Sequence, residues 1–160
     1  MDMNEAQFKS ILSEYGDTVY RVALHILCSV PDAEDVVQQT FTKLWTSDKH
    51  YDSEEHLRRW LIRVAVNECK KELRSPRRRI ASLDDAATEP EFENDEYREV
   101  WEKVKALDPK YRTAVYLHYY EGYNSEEIAK MTGSTASTVR TRLMRAREQL
   151  KNLLGGDKNE

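Results

Sequence analysis

The chain has 160 residues, 39% hydrophobic and 34% charged, with 25 Lys and Arg against 29 Asp and Glu, a length that suits one ordinary domain or two small ones. No apolar run approaches the roughly 20 residues of a membrane span, the N-terminal residues carry acids where a secretory leader is basic and then apolar, and two cysteines make neither a disulfide framework nor a zinc site. Five glycines in no phosphate-cradling pattern and four scattered histidines leave no basis for an enzyme, a metal or a cofactor, and a cytoplasmic protein is expected.

Apolar residues recur at helical spacing nearly throughout, with no sustained alternation of the kind a sheet needs. Phe8, Ile11, Leu12 and Tyr15 make one stripe, and Val19, Ala23, Ile26 and Leu27 make a second beyond a break at Gly16-Asp17. A further helix opens at Pro31, with Asp32, Glu34 and Asp35 in its first turn and a buried stripe of Ala33, Val37, Phe41, Leu44 and Trp45. The next follows Ser53 as N-cap and runs to about Leu73. From Pro76 to about Asn94 the helical stripe disappears, and the segment reads as a linker. Helical spacing resumes through Val100, Trp101, Val104 and Leu107, and Asp108-Pro109 opens a helix that ends near Tyr120 and Gly122. The expected fold is all-α: two small helical bundles, residues 1–75 and 95–160, joined by a flexible acidic linker over residues 76–94.

The net charge of −4 hides a segregation by segment. His56–Arg79 holds nine Lys and Arg against Glu68 and Glu72, a net of +7; Leu83–Glu96 holds seven acids and no base; Thr135–Leu154 holds five bases against Glu148, a net of +4. At about 100° per residue, Arg59, Arg63, Asn67, Lys70 and Arg74 fall on one line of the helix, opposite Leu57, Leu61, Val64 and Ala65. Such a line repels itself unless an anion lies alongside, and a phosphate backbone supplies one. Trp60 borders this line, placed either to stack on a base or to join the core.

Residues 124–154 have the pattern of a helix-turn-helix. Asn124 and Glu127 have capping-box spacing, Gly133 suits the turn, and Ala129 and Val139 let two helices meet closely. In the second helix Val139, Leu143, Ala146 and Leu150 form the inner stripe. Ser137, Thr141, Met144, Arg145 and Glu148 lie opposite, with Thr138 and Arg140 on the flanks, a set suited to a major groove. Arg142 and Arg147 sit nearer the core edge, as phosphate contacts or internal salt bridges.

The strings DAEDVVQQTFTKLW, RRWLIRVAVNECKKELRSPRRR and LDPKYRTAVYLHYYEGYNSEEIAKMTGSTASTVRTRLMRAREQL resemble, in order and spacing, the extracytoplasmic-function group of bacterial RNA polymerase sigma factors, over residues 5 to 154. The resemblance implies a non-catalytic subunit that directs core RNA polymerase to promoters and assists their opening. It places Asp32, Asp35, Gln38, Gln39 and Thr42 against the clamp helices of the polymerase β′ subunit. It assigns Asn67 and the loop from Ser47 to His56 to the −10 bases, with Arg59, Arg63, Lys70 and Arg74 on the backbone. At the −35 element it points to Arg140, Thr141, Met144 and Arg145, beside Ser137 and Thr138 from the exposed face. The linker would thread the positively charged polymerase interior, and an anti-sigma factor is the expected regulatory partner, with the β subunit and promoter DNA completing the assembly. Where Gln39 stands the family more often has Glu, which bears on the clamp contact. The alternative reading is a stand-alone helix-turn-helix regulator that binds duplex DNA as a dimer.

Overall fold

The computed structural model describes residues 3–48, 50–76 and 90–155, and every regular element among them is helical. The contacts divide the chain into two units, on either side of the Glu89–Pro90 peptide. Residues 77–89, which include Arg77, Arg78 and Arg79 and most of the expected linker, lie outside the described residues.

In the first unit, α1 (Glu5–Leu27) starts from a capping box. The Asn4 side chain accepts from the Gln7 amide at 2.8 Å, and the Gln7 side chain accepts from the Asn4 amide at 3.0 Å. The expected break at Gly16-Asp17 is absent, and α1 is one helix. A mid-helix glycine costs about 1 kcal/mol relative to alanine, and burial of Tyr15, Val19, Val22, Ala23, Ile26 and Leu27 along the same face outweighs it. The helix ends at Cys28, whose φ of 53° turns the chain away.

The second helix, α2 (Val30–Thr46), opens one residue earlier than expected, with the Ser29 hydroxyl accepting from the Asp32 amide at 3.4 Å. Its buried face is Ala33, Val36, Thr40, Phe41 and Leu44. Ala33, Phe41 and Leu44 are buried as expected, whereas Val37 is only partly covered, with Val36 and Thr40 at the inner positions beside it, and Trp45 is 48% exposed. The third, α3 (Glu54–Arg74), is capped by Ser53 as expected and buries Leu57, Leu61, Ile62, Ala65, Val66 and Cys69, whereas Val64 is half-buried. All three helices pack on one another. A hydrogen-bonded ion pair from Lys43 to Glu68, shared with Lys71 at 3.4 Å, ties α2 to α3.

The second unit begins with α4 (Asp95–Lys105), whose N-cap is Asn94. Asp95 and Glu96, the last acids of the expected linker run, form its first turn, where the helix dipole favours them. Trp101 is buried, but Val100 faces outward at 43% exposure. Then follow α5 (Pro109–Tyr119), α6 (Ser125–Thr132) and α7 (Ala136–Gly155). Buried Arg112 donates to the carbonyls of Lys105 at 3.1 Å and Leu107 at 2.5 Å, placing a cation at the C-terminal end of α4. Helix α7 packs against α4, α5 and α6 around Leu117, Ile128, Val139, Leu143 and Ala146.

Candidate nucleic-acid and polymerase interfaces

On α3 the packing of Leu57, Leu61, Ala65 and Cys69 into the first unit sends the opposite line outward. Arg59, Arg63, Asn67, Lys70 and Arg74 are all exposed. The first of them is offset by an acid one turn earlier: Arg59 Nε donates to Glu55 Oε1 at 3.0 Å. The preceding loop is described at residues 47–48 and 50–53, and α3 begins at Glu54, so His56 belongs to the first turn of α3 rather than to the loop. It is tied back to the loop, because the Asp52 amide donates to His56 Nδ1 at 3.1 Å. Tyr51 places its ring edge-on to both His56 and Trp60, each 5.5 Å away between centroids. Trp60 is half-buried, and its ring braces this loop against the helix instead of entering the core. Burial pushes the Tyr51 phenol above its ordinary pKa, against the lowering effect of Ser47.

On α2, Asp35, Gln38, Gln39 and Thr42 are exposed and Asp32 is half-buried. Thr42 donates its hydroxyl to the Gln38 carbonyl at 2.8 Å, which leaves the Gln38 amide group outside that bond. Beside this face, Phe8, Leu12, Val37, Phe41 and Trp45 line an apolar groove of about 790 Å³ between α1 and α2, with Gln38 and Thr42 on its rim.

The C-terminal pair has the geometry expected of a helix-turn-helix. Asn124 and Glu127 exchange bonds of 2.9 and 3.0 Å at the start of α6. Gly133 ends that helix at φ 68°, its amide bonded to the Ala129 carbonyl. Thr135 caps α7 by accepting from the Thr138 amide at 3.1 Å, and its hydroxyl donates to Thr138 Oγ1 at 2.9 Å. With Val139, Leu143 and Ala146 buried, Ser137, Arg140, Met144 and Arg145 stand exposed, while Thr138 and Thr141 are half-buried. Leu150 is half-buried, so the inner stripe fades toward the end of the helix.

Residues 11–79 match the family model Sigma-70 region 2, and residues 97–150 match Sigma-70, region 4. The RNA polymerase sigma factor CarQ of Myxococcus xanthus is 32% identical over 155 residues, covering 92% of this chain and 89% of that protein. The chain belongs to the sigma-70 family, in the extracytoplasmic-function group. The ECF RNA polymerase sigma-E factor of Haemophilus influenzae is similar as well, 29% identical over 163 residues, with 91% of this chain and 86% of that protein covered. The fold is shared with the sigma factor RpoE of Bartonella quintana, solved in complex with the anti-sigma factor NepR, at a TM-score of 0.73 and 24% identity over 92% of this chain and 96% of that one. The match over residues 11–79 decides against a stand-alone helix-turn-helix regulator.

A sigma factor is a specificity subunit and not an enzyme. Among the described residues no cluster of His, Cys, Asp or Glu could hold a metal, and no helix is long and apolar enough to cross a membrane. Two contacts of this sigma factor escaped sequence reasoning. Arg147, expected to meet phosphate or an acid, donates from Nε to the Tyr119 hydroxyl at 2.6 Å and lies over that ring. Arg140 pairs with Glu126 at 3.3 Å. Both partners are on other helices, 28 and 14 residues away, and no local periodicity signals them.

Proposed function

We propose that this chain, as a sigma factor directing core RNA polymerase to promoters, divides the task between its two units. Residues 1–75 hold the polymerase and the −10 element, residues 76–94 form the linker, and residues 95–160 hold the −35 element. On α2, Asp32, Asp35, Gln38, Gln39 and Thr42 dock the β′ clamp helices, and the second unit meets the β subunit. On α3, Arg59, Arg63, Lys70 and Arg74 follow the DNA backbone while Asn67 and the 47–53 loop read −10 bases. On α7, Arg140, Thr141, Met144 and Arg145 read −35 base edges, with Ser137 and Thr138 at the helix start.

The observation that carries this reading is that the segments matching regions 2 and 4 each expose a helix line of cations and hydrogen-bonding residues. Phosphate contacts of this kind position a protein on DNA, and base-edge contacts specify the sequence. RpoE is bound to an anti-sigma factor in its solved complex, and a regulator of that class is the proposed partner here, in the cytoplasm. Assembly of the chain with core polymerase, followed by transcription from a randomised promoter library, tests the reading. Selection of a two-part promoter motif supports it, and transcription that never depends on the added chain refutes it.

A further inference from the structure

Arg140 reaches from α7 to the first turn of α6, where its Nη1 lies 3.3 Å from Glu126 Oε1. Glu126 caps neither helix, because Asn124 and Glu127 cap α6 between themselves and Thr135 caps α7; it lies in the first turn of α6, where the helix dipole favours an acid. The two side chains are 60% and 65% exposed, and an ion pair in that setting adds little to folding. Its effect falls instead on what Arg140 can attract. A guanidinium without a carboxylate partner draws any phosphate, whatever the sequence, and releases a counterion in doing so. Paired with Glu126, the same group is nearly neutral toward the backbone. Its Nε and Nη2 donors lie outside that bond and can still meet a base edge such as the O6 and N7 of guanine.

We propose that Glu126 is a specificity-determining residue of the −35 reader, one that suppresses indiscriminate phosphate binding by Arg140 and orients its guanidinium for a base edge. This rests on the placement of Arg140 among the −35 contacts. Glu126→Gln keeps the size of the side chain and removes its charge. The test uses the full chain assembled with core polymerase, on promoter fragments that carry either the −35 sequence selected by the unaltered protein or a shuffled one.

Glu126→Gln is expected to tighten binding of the shuffled fragment about two- to fivefold and to change the selected one less. The slope of log affinity against log salt should steepen by about 0.9. In an Arg140→Ala background the same substitution should no longer alter the ratio between the two fragments. Equal tightening of both fragments, whether or not Arg140 is present, would make Glu126 a general repulsive charge and overturn the proposal. So would an unchanged ratio with an unchanged slope. Failure of the unaltered holoenzyme to tell the two fragments apart would instead remove the −35 assignment itself, and the inference with it.

Discussion

Arg145 and Gly133 show how differently single residues act in the same motif. Arg145 is exposed on α7 away from Val139 and Leu143, so its replacement disturbs no packing. Arg145→Ala is expected to cost about 1–3 kcal/mol at one base pair and to relax preference there. Binding to a panel of single-base promoter variants checks this, and a loss equal on all sequences would make Arg145 a phosphate contact. Gly133 touches no DNA in this reading but holds φ at 68°, a region that costs an L-residue about 1–2 kcal/mol. Gly133→Ala should therefore lower the stability of the second unit by about that amount in urea unfolding. The α7 side chains proposed to read DNA are untouched, so the folded variant should keep its base preference.

At the scale of elements, the α2–α3 pair carries a pH-dependent tie. Burial alone would raise the Glu68 pKa, but the hydrogen bonds and charges of Lys43 and Lys71 outweigh it and hold the carboxyl below its ordinary value. A carboxyl whose pKa is lower folded than unfolded adds stability above its unfolded pKa, and loses it as the pH falls through the folded one. Urea midpoints measured from neutral pH down through the carboxylate range should fall, and Glu68→Gln should flatten that dependence while costing about 1–2 kcal/mol at neutral pH. The exposed face of α2 carries a different expectation. Asp35→Lys with Gln39→Lys should weaken capture of core polymerase while thermal unfolding stays cooperative; loss of both would mean misfolding.

How far these elements can be read from sequence depends on which forces set them. Caps are local chemistry, so Ser53, Asn124 and Glu127 show themselves directly. The exposed line on α3 follows from helix phase alone. Gly16 does not, because its local penalty is overridden by burial from Tyr15 to Leu27, in a helix packed against two others. Trp45 misleads for the opposite reason: it has the hydrophobicity of a core residue, yet it sits beside the first turns of α1 with its ring edge-on to Phe8, 5.1 Å away. The site itself is legible as a set of exposed faces, whereas its cross-helix tethers, Glu126–Arg140 and Tyr119–Arg147, depend on tertiary packing.

For the whole molecule, the mean charge of −4 conceals opposite tasks. Acids concentrate between two basic helices, so each surface proposed to face DNA keeps its own local field while the complete chain stays acidic. Replacing Asp84, Asp85, Glu89, Glu91 and Glu93 with their amides is expected to leave promoter binding by the holoenzyme within twofold, since these residues belong to neither helix line. The yield of short abortive transcripts should change if this segment occupies the path of the nascent RNA. Gel analysis of initial products measures that directly, and an unchanged pattern would leave the acids a solubility role alone.

The unbroken α1 gives the first unit the character of a caliper. Helices α2 and α3 both rest on it, so the surface proposed to grip the polymerase and the line proposed to follow DNA keep a fixed offset. One residue inserted at Gly16 would turn Phe8 about 100° away from Phe41 and Trp45, and seven would bring it back to within about 20° of register, some 10 Å further along. The seating of Phe8 against α2 is thus written in helical turns of α1.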